Sequence, residues 1–397
     1  MKQKATVFIR IAVIVALTAG ISAVLCVFHT QLLTLLTDAV ILFAKGYLPT
    51  KSIALTIESS NENPNEPFTE VLLPTDLVTE AAPTSQEAAT TEAHTERAEE
   101  NADNEDKKTS LTDTDSDIKK LINEAEKKSG KDKKDGDIKD YKYVNDGVTD
   151  SYGNIRVKNT NKTDIDIKSY LSREPDLSVN KEEPTVLIYH THTTETYQLL
   201  DRDFYPTGNE TRTSDEARNM IRVGKAICEQ LEEAGYKVIH VTDIHDNPYS
   251  GAYSRSRKTV EEYLKEYPSI QITLDIHRDA IQRSDGTKIA PTVEIDGKKA
   301  AQIMIISGCQ EEGNGITNLP DWKENLTFAL KLQNELESSF PGITRPLYFC
   351  ARSYNMNLTH CSLLVEMGSD ANTLEEAVYT GKCLGAALTD ILKEYEK

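Results

Sequence analysis

The C-terminal half of the chain alternates between strand-like and helix-like segments, and this alternation constrains the fold most. Short apolar runs of the kind found in buried strands are PTVLIYH, YKVIHV, SIQITLDIH, AQIMIISG and CSLLVEMG. Amphipathic stretches with helical spacing follow at residues 214–234, 255–267, 320–340 and 374–394. Strands that alternate with helices favour a mostly parallel sheet with helices on both faces. The pattern therefore predicts an α/β fold, with a mostly parallel sheet flanked by helices.

A long interval without aromatic residues precedes this region. No Phe, Tyr or Trp occurs between Phe68 and Tyr141, and the interval is rich in Glu, Asp, Lys, Thr, Ala and Ser. Such a composition buries too little apolar surface to offset the entropy lost on ordering. We therefore predict a disordered, acidic and mixed-charge tether over residues 64–140. An N-terminal arm over 141–182 and a folded domain over 183–397 would follow it.

The N-terminus carries an apolar stretch that is long enough to cross a membrane. Residues 7–28 contain one charged residue, Arg10, close to the end of the stretch. About 20 apolar residues span a bilayer, and basic residues before the span favour a cytoplasmic N-terminus. We expect an uncleaved anchor within residues 1–30, with the remaining chain outside the cytoplasm; a cleaved signal peptide is the alternative. A shorter apolar stretch within the membrane-proximal segment 31–63 is a candidate interfacial helix.

Charge and cysteine content exclude some classes of site. The formal net charge of −19 argues against nucleic acid as a partner, because phosphate binding requires clustered Lys and Arg. The six cysteines include no C-x-x-C pair, which gives a thiolate metal site no support. A domain of this size can hold its own core, so we do not expect a disulfide framework.

Side chains that can bind metal cluster near the ends of three predicted strands. His190, His192 and Glu195 follow the first of these strands, His277 ends the second, and Glu366 lies at the end of a third. A parallel sheet would bring these ends to one rim. A catalytic zinc takes three ligands from His and carboxylates, and a nearby carboxylate serves as general base. The H-x-H spacing alone is weak evidence for a metal site. A carboxylate at the end of a buried strand is stronger evidence, because its burial costs folding free energy unless it is paired or bound to a metal.

These segments resemble a known family. HTHTTETY, EARNMIRVGKAICEQLEEAGYKV, LDIHRDA and LLVEMGSDANTLEEA are similar to the stage II sporulation protein P family of endospore-forming bacteria, within the larger group of zinc N-acetylmuramoyl-L-alanine amidases. The resemblance extends from about residue 157 to the C-terminus. It implies an amidase-type fold that binds Zn²⁺.

The resemblance also implies roles for individual residues. His192 and His277 would be zinc ligands, with His190 as the alternative to His192. Glu216 matches the carboxylate ligand by its distance from the end of its helix, and Glu195 is the competitor. Glu366 matches the general base.

We expect Arg278 to bind a carboxylate of the stem peptide, or otherwise to form a surface ion pair. The implied activity is hydrolysis of the amide between glycan and stem peptide in septal wall during engulfment, with peptide cross-links as a further candidate target. The implied partners are peptidoglycan, the membrane and sporulation proteins D and M. The rival hypotheses are a non-catalytic wall-binding or scaffold module and a zinc peptidase that acts on free peptides.

Overall fold

The computed structural model describes residues 111–397. The predicted membrane span, the membrane-proximal segment and the tether up to residue 110 lie outside the described residues. Within residues 111–397, no helix combines the length and the apolar character needed to cross a membrane. The membrane anchor therefore stays a prediction from the sequence.

Six helices and twelve strands make up the described part of the chain. The helices are α1 Ser116–Ser129, α2 Ile167–Leu171, α3 Met220–Glu233, α4 Ala252–Glu266, α5 Trp322–Ser339 and α6 Leu374–Glu394. The strands are β1 Lys134–Tyr141, β2 Asp150–Tyr152, β3 Ile155–Asn159, β4 Val186–Tyr189, β5 Phe204–Pro206, β6 Val238–His240, β7 Ile272–Asp279, β8 Lys288–Ile295, β9 Lys298–Ala301, β10 Ile303–Gly308, β11 Leu347–Cys350 and β12 Cys361–Ser369.

Eight strands form the main sheet, in the order β2-β3-β11-β10-β12-β7-β4-β6. Its pairings are parallel except for β2 with β3 and β10 with β12. This confirms the predicted α/β fold with a mostly parallel sheet. Because β12, β7, β4 and β6 all run in one direction, their carboxyl ends lie at one edge, where ligands bind in open α/β sheets.

Helices cover both faces of the sheet, as alternate residues of β4 show. Val186 and Ile188 belong to a large apolar cluster that also contains residues of α3, α5 and α6. Leu187 and Tyr189 belong to a separate cluster with Val260 of α4. Successive side chains of a strand point to opposite faces, so both faces of β4 are buried. This burial explains why the strand is a continuous apolar run rather than an alternating one.

A smaller sheet of four strands, in the order β5-β1-β8-β9, accompanies the main sheet. It adjoins the carboxyl end of β12, because the Ser369 hydroxyl donates to the Ile289 carbonyl and Lys288 pairs with Asp370. The sequence analysis did not predict this sheet. Its strands come from the predicted tether and arm, from the loop after β4, and from the segment between β7 and β10.

The last part of the predicted tether is ordered, so the prediction of disorder is wrong between residues 116 and 140. Helix α1 and strand β1 occupy this segment, and Ile118 is buried in the main apolar cluster. Arg222 of α3 pairs with Asp115 and Asp117, and Lys382 of α6 pairs with Asp115. The absence of aromatics is misleading here, because a few aliphatic side chains and three charge pairs dock the helix onto an existing core.

Candidate metal site

The carboxyl ends of β4, β7 and β12 bring the candidate residues together. In the paired strands, Tyr189 lies opposite Asp275, and Glu366 lies opposite His277. Residues opposite each other in paired strands point to the same face. Glu366, His277 and Asp275 therefore share one face of the sheet, and the turn after β4 carries His192 and Glu195 over it.

His192, Glu195 and His277 form a compact group. Each offers one ligand atom such that all three atoms lie within 4.8 Å of one another. Nδ1 of His192 is 3.5 Å from Oε1 of Glu195, and Nδ1 of His277 is 3.7 Å from Oε2. The His192 and His277 ring centroids are 4.9 Å apart. Two imidazoles and one carboxylate are a donor set typical of catalytic zinc.

Glu195 is buried and held as an anion. Burial alone would raise the pKa of its carboxyl, but the bond to His192 and the positive charge of Arg278 lower it well below its ordinary value. The backbone N–H of Arg278 donates to Oε2 at 3.2 Å. Backbone pairing of Glu195 with Arg212 fixes the loop that carries it. A buried, ionised carboxylate between two imidazoles is suited to a cation.

His277 is oriented by Asp275. Nε2 of His277 lies 2.8 Å from Oδ1 of Asp275, which is a close charge contact without the alignment of a hydrogen bond. Burial lowers the pKa of His277, but the carboxylates of Asp275, Glu195 and Glu366 outweigh it and raise the pKa to about 9. Asp275 also accepts from the backbone N–H and the hydroxyl of Thr191, at 2.7 and 2.6 Å. Carboxylates behind metal-binding histidines commonly fix the ring in this way.

Glu366 completes the site beside His277. Its Oε2 atom is buried and has no hydrogen-bond partner within residues 111–397. Burial and the nearby Asp279 raise the pKa of Glu366 to about 8, against the opposing charge of His277. A carboxylate oxygen without a partner is costly in a folded protein and is a common sign of a functional group. Sequence reasoning found this residue because it closes a buried strand.

His190 lies away from this group, on the other face of β4. Its Nδ1 donates to the Ile276 carbonyl at 2.9 Å, and its Nε2 is 3.0 Å from Nε2 of His240. Nδ1 must carry the proton because a carbonyl only accepts, so Nε2 accepts from His240. Both nitrogens of His190 are therefore occupied. Of the two histidines that the sequence left as alternatives, the structure brings His192 to the group.

Glu216 also lies outside the group. The predicted helix from residue 214 begins at Met220, with Asn219 as its N-cap, and Glu216 is exposed in the preceding turn. The described geometry places its competitor, Glu195, beside both histidines instead. A helix pattern read from the sequence cannot distinguish these six non-helical residues from additional helical turns.

The guanidinium of Arg278 donates hydrogen bonds to backbone carbonyls and does not face an open cleft. Nε donates to the Thr196 carbonyl at 2.9 Å, and Nη2 donates to the Thr211 carbonyl at 2.7 Å. Nη1 donates to the Asp279 carbonyl at 3.2 Å. The side chain is buried and joins the segment that carries Glu195 to the segment that carries Arg212. These contacts favour a positioning role over the predicted contact with substrate.

Three residues beside the group had no signal in the sequence analysis. Tyr249 stacks on His192, with ring centroids 4.8 Å apart, and Tyr253 lies 5.6 Å from the His192 ring. Nη2 of Arg212 lies 3.5 Å from Oε1 of Glu195. None of the three lies directly after one of the strands whose ends were predicted to form the site. Tyr253 lies in the first turn of α4 and the other two in loops, and these segments reach the site only through tertiary contacts.

Comparison with known proteins identifies the family of the chain. The family model for stage II sporulation protein P (SpoIIP) matches residues 64–389. The chain belongs to this family. The stage II sporulation protein P of Bacillus subtilis (strain 168) is 27% identical over 242 residues. That match covers 57% of this chain and 55% of the relative, so it spans about half the length of the curated protein.

The solved structures that match part of the fold are described as amidases. N-acetylmuramyl-L-alanine amidase Ami1 of Mycobacterium smegmatis matches with a TM-score of 0.33 and 11% identity, over 54% of this chain and all 100% of that one. The CwlD amidase of Clostridioides difficile, solved with the GerS lipoprotein, matches with a TM-score of 0.33 and 15% identity. It covers 53% of this chain and 98% of its own.

Proposed function

We propose that this chain is a zinc-dependent peptidoglycan hydrolase that cleaves the amide between glycan and stem peptide. The observation that carries the proposal is the convergence of His192, Glu195 and His277 within 4.8 Å, beside the partnerless carboxylate oxygen of Glu366. Membership of the sporulation family supports a role in the cell wall. Hydrolysis of peptide cross-links is a further activity of the same site.

The donor set fits zinc by chemistry and by burial. Two imidazoles with one ionised carboxylate leave a coordination position for water, as catalytic zinc sites do. When bound, zinc would act as a Lewis acid and lower the pKa of a water molecule. The Oε2 atom of Glu366 has no hydrogen-bond partner among residues 111–397, and Glu366 lies opposite His277 in the paired strands. Buried polar atoms of this kind call for a ligand.

The chain's own residues would carry out the remaining steps. Asp275 holds the His277 ring, while Arg278 holds the loop that carries Glu195. Glu366 would accept a proton from the attacking water and return it to the leaving amine, as a general base that becomes a general acid. Its position opposite His277, on the same face of the sheet, supports this role.

Digestion of purified peptidoglycan, with mass analysis of the released ends, tests this function. Release of stem peptides with free amino termini is the expected result, with loss of activity on chelation and in His277→Ala. Products cut only between peptide residues would identify an endopeptidase instead. Binding to the wall without any cleavage would favour the scaffold hypothesis.

Residues 7–28 would anchor this enzyme in the cell membrane, with residues 111–397 on the outer side and acting at the septum during engulfment. The apolar length of the stretch and the basic residues before it support this topology. Sporulation proteins D and M would be its partners there. Alkaline phosphatase fused to the C-terminus should be active in cells. Activity confined to a cytoplasmic reporter at the same position would contradict the topology.

A further inference from the structure

A partly exposed arginine lies beside the candidate metal ligands. The Arg212 side chain is 34% exposed, and its Nη2 atom is 3.5 Å from Oε1 of Glu195. Backbone pairing places Arg212 opposite Glu195. This guanidinium therefore lies at the border between the site and solvent, where a substrate group can reach it.

The guanidinium of Arg212 is fixed in place before any ligand binds. Its Nη1 atom is 2.6 Å from Oδ2 of Asp246, whose side chain is fully buried. Asp246 in turn accepts from the hydroxyl of Thr194 at 2.6 Å. The guanidinium carbon lies 4.7 Å from the centre of the Tyr249 ring. Because one nitrogen and one ring face already hold the guanidinium, binding of an anion costs little further conformational entropy.

The other arginines near the site differ in their surroundings. Arg278 is buried with its guanidinium donating to three backbone carbonyls. Arg345 is 9% exposed and bound to Asp279 at 2.9 Å. Arg212 combines exposure with a short contact at one nitrogen and a longer one at the other. The Nη2 atom is thus the one most readily transferred to a new acceptor.

The loop beside Arg212 combines buried polar residues with partly exposed apolar side chains. His245 and Asp246 are buried, and His245 donates from Nδ1 to the His190 carbonyl at 2.8 Å. Ile244 and Tyr249 of the same loop are each 39% exposed. A loop anchored by buried polar residues keeps such exposed side chains in fixed positions. Tyr249 thus places a partly exposed aromatic ring against the Arg212 guanidinium.

We propose that Arg212 binds a carboxylate of the substrate's peptide part, close to the scissile amide, and so selects acidic stem peptides. This inference rests on the proposed function, since it assigns the peptide to the same site. The proposal assigns to Arg212 the anion-binding role that was predicted for Arg278, because the N–H donors of Arg212 are accessible. Arginine suits this role because its guanidinium carries several N–H donors, so Nη2 can donate to a substrate carboxylate while Nη1 stays bound to Asp246.

Binding of free stem peptides by the zinc-loaded protein tests the proposal without requiring catalysis. The probe is a stem peptide whose second residue carries either its free carboxylate or the corresponding carboxamide. Titration calorimetry should show tighter binding of the acid form by roughly tenfold, the value of one charge-assisted hydrogen bond at a partly exposed site. Arg212→Met should remove this preference, and Arg212→Lys should reduce it.

Arg218→Met is the matched control. Arg218 lies in the same segment, and it pairs with the exposed Glu210 rather than with the site. It should keep the preference for the acid form. Bound zinc and melting temperature are measured for each variant, and Arg212→Lys decides the matter if Arg212→Met does not fold.

Equal binding of acid and amide forms by the natural protein would overturn the proposal. No binding of either form, or a preference that survives in Arg212→Met, would do the same. Failure of the proposed hydrolase activity gives a different result, because the peptide probe contains no bond to glycan. A protein that selects acidic peptides but cuts no wall would keep the anion site and lose the enzyme assignment.

Discussion

His190 and His192 are two residues apart and have different chemical environments. His190 faces α3, where Gly224 leaves room for it. A Cβ added at Gly224 would lie 2.6 Å from Nε2 of His190 and 2.5 Å from Nε2 of His240. His192 lies past the end of the strand, beside Glu195 and Tyr249. The first histidine is part of the packing, and the second is available to a metal.

The His190–His240 pair should make folding stability depend on pH. Burial lowers the pKa of His240 from 6.5 to about 4, so its neutral form stabilises the fold. That stability is complete above pH 6.5 and is lost as the pH falls towards 4. Between pH 7.5 and 5.0, the natural protein should lose on the order of 1–2 kcal/mol more unfolding free energy than His240→Gln. Urea unfolding of the metal-free proteins measures this difference, and equal losses would contradict it.

Glu366→Gln tests the role of the carboxylate in the reaction. Glutamine keeps the size of the side chain but cannot accept the proton. Loss of a general base typically lowers the rate by about 10²–10⁴-fold. Zinc content and wall binding should stay at natural levels, because His192, Glu195 and His277 are unchanged. A variant that loses zinc would make Glu366 a ligand, and one with natural activity would remove it from the mechanism.

At the scale of elements, α1 is a structural part of the folded region. Ile118 is 1% exposed, and the charge pairs of Asp115 and Asp117 join the helix to α3 and α6. Removal of the predicted tether up to residue 140 would delete the helix and all of strand β1 except Tyr141. It would leave the guanidinium of Arg222 without its partners.

Ile118→Ala should therefore destabilise the protein by about 2–5 kcal/mol, as cavity-forming substitutions in a core do. Lys120→Ala, on the exposed side of the same helix, should change stability by no more than about 0.5 kcal/mol. Thermal or urea unfolding of residues 111–397 gives both values. A change at Ile118 as small as that at Lys120 would show that α1 contributes little to the fold.

Element ends were predictable where a local signal marks them. Helix α6 has the predicted bounds, Leu374–Glu394, because Thr373 and Glu376 form a capping box that fixes its start. Helix α3 begins six residues later than predicted, because Asn219 caps it and the preceding residues form a turn. Composition did not predict helix α1, because contacts with other elements stabilise this helix rather than its own apolar content.

At the scale of the whole molecule, the sequence predicts which strand ends meet but not which loops fold over them. His277 and Glu366 follow from strand pattern and topology alone, whereas the preference for His192 over His190 came from the family resemblance. The choice of Glu195 over Glu216 depends on a turn of three residues after His192, and Arg212 reaches the site through pairing with Glu195. Long-range loop contacts of this kind have no periodic signature in the chain.

The most direct test of the account is the zinc content of Glu195→Ala and Glu216→Ala after dialysis, measured by mass spectrometry of the metal. Both variants remove one carboxylate, but Glu195 lies between the two histidines and Glu216 is exposed before α3. The account predicts that Glu216→Ala retains zinc like the natural protein and that Glu195→Ala loses it with the fold intact. Zinc retained in Glu195→Ala and lost in Glu216→Ala would contradict the proposed site.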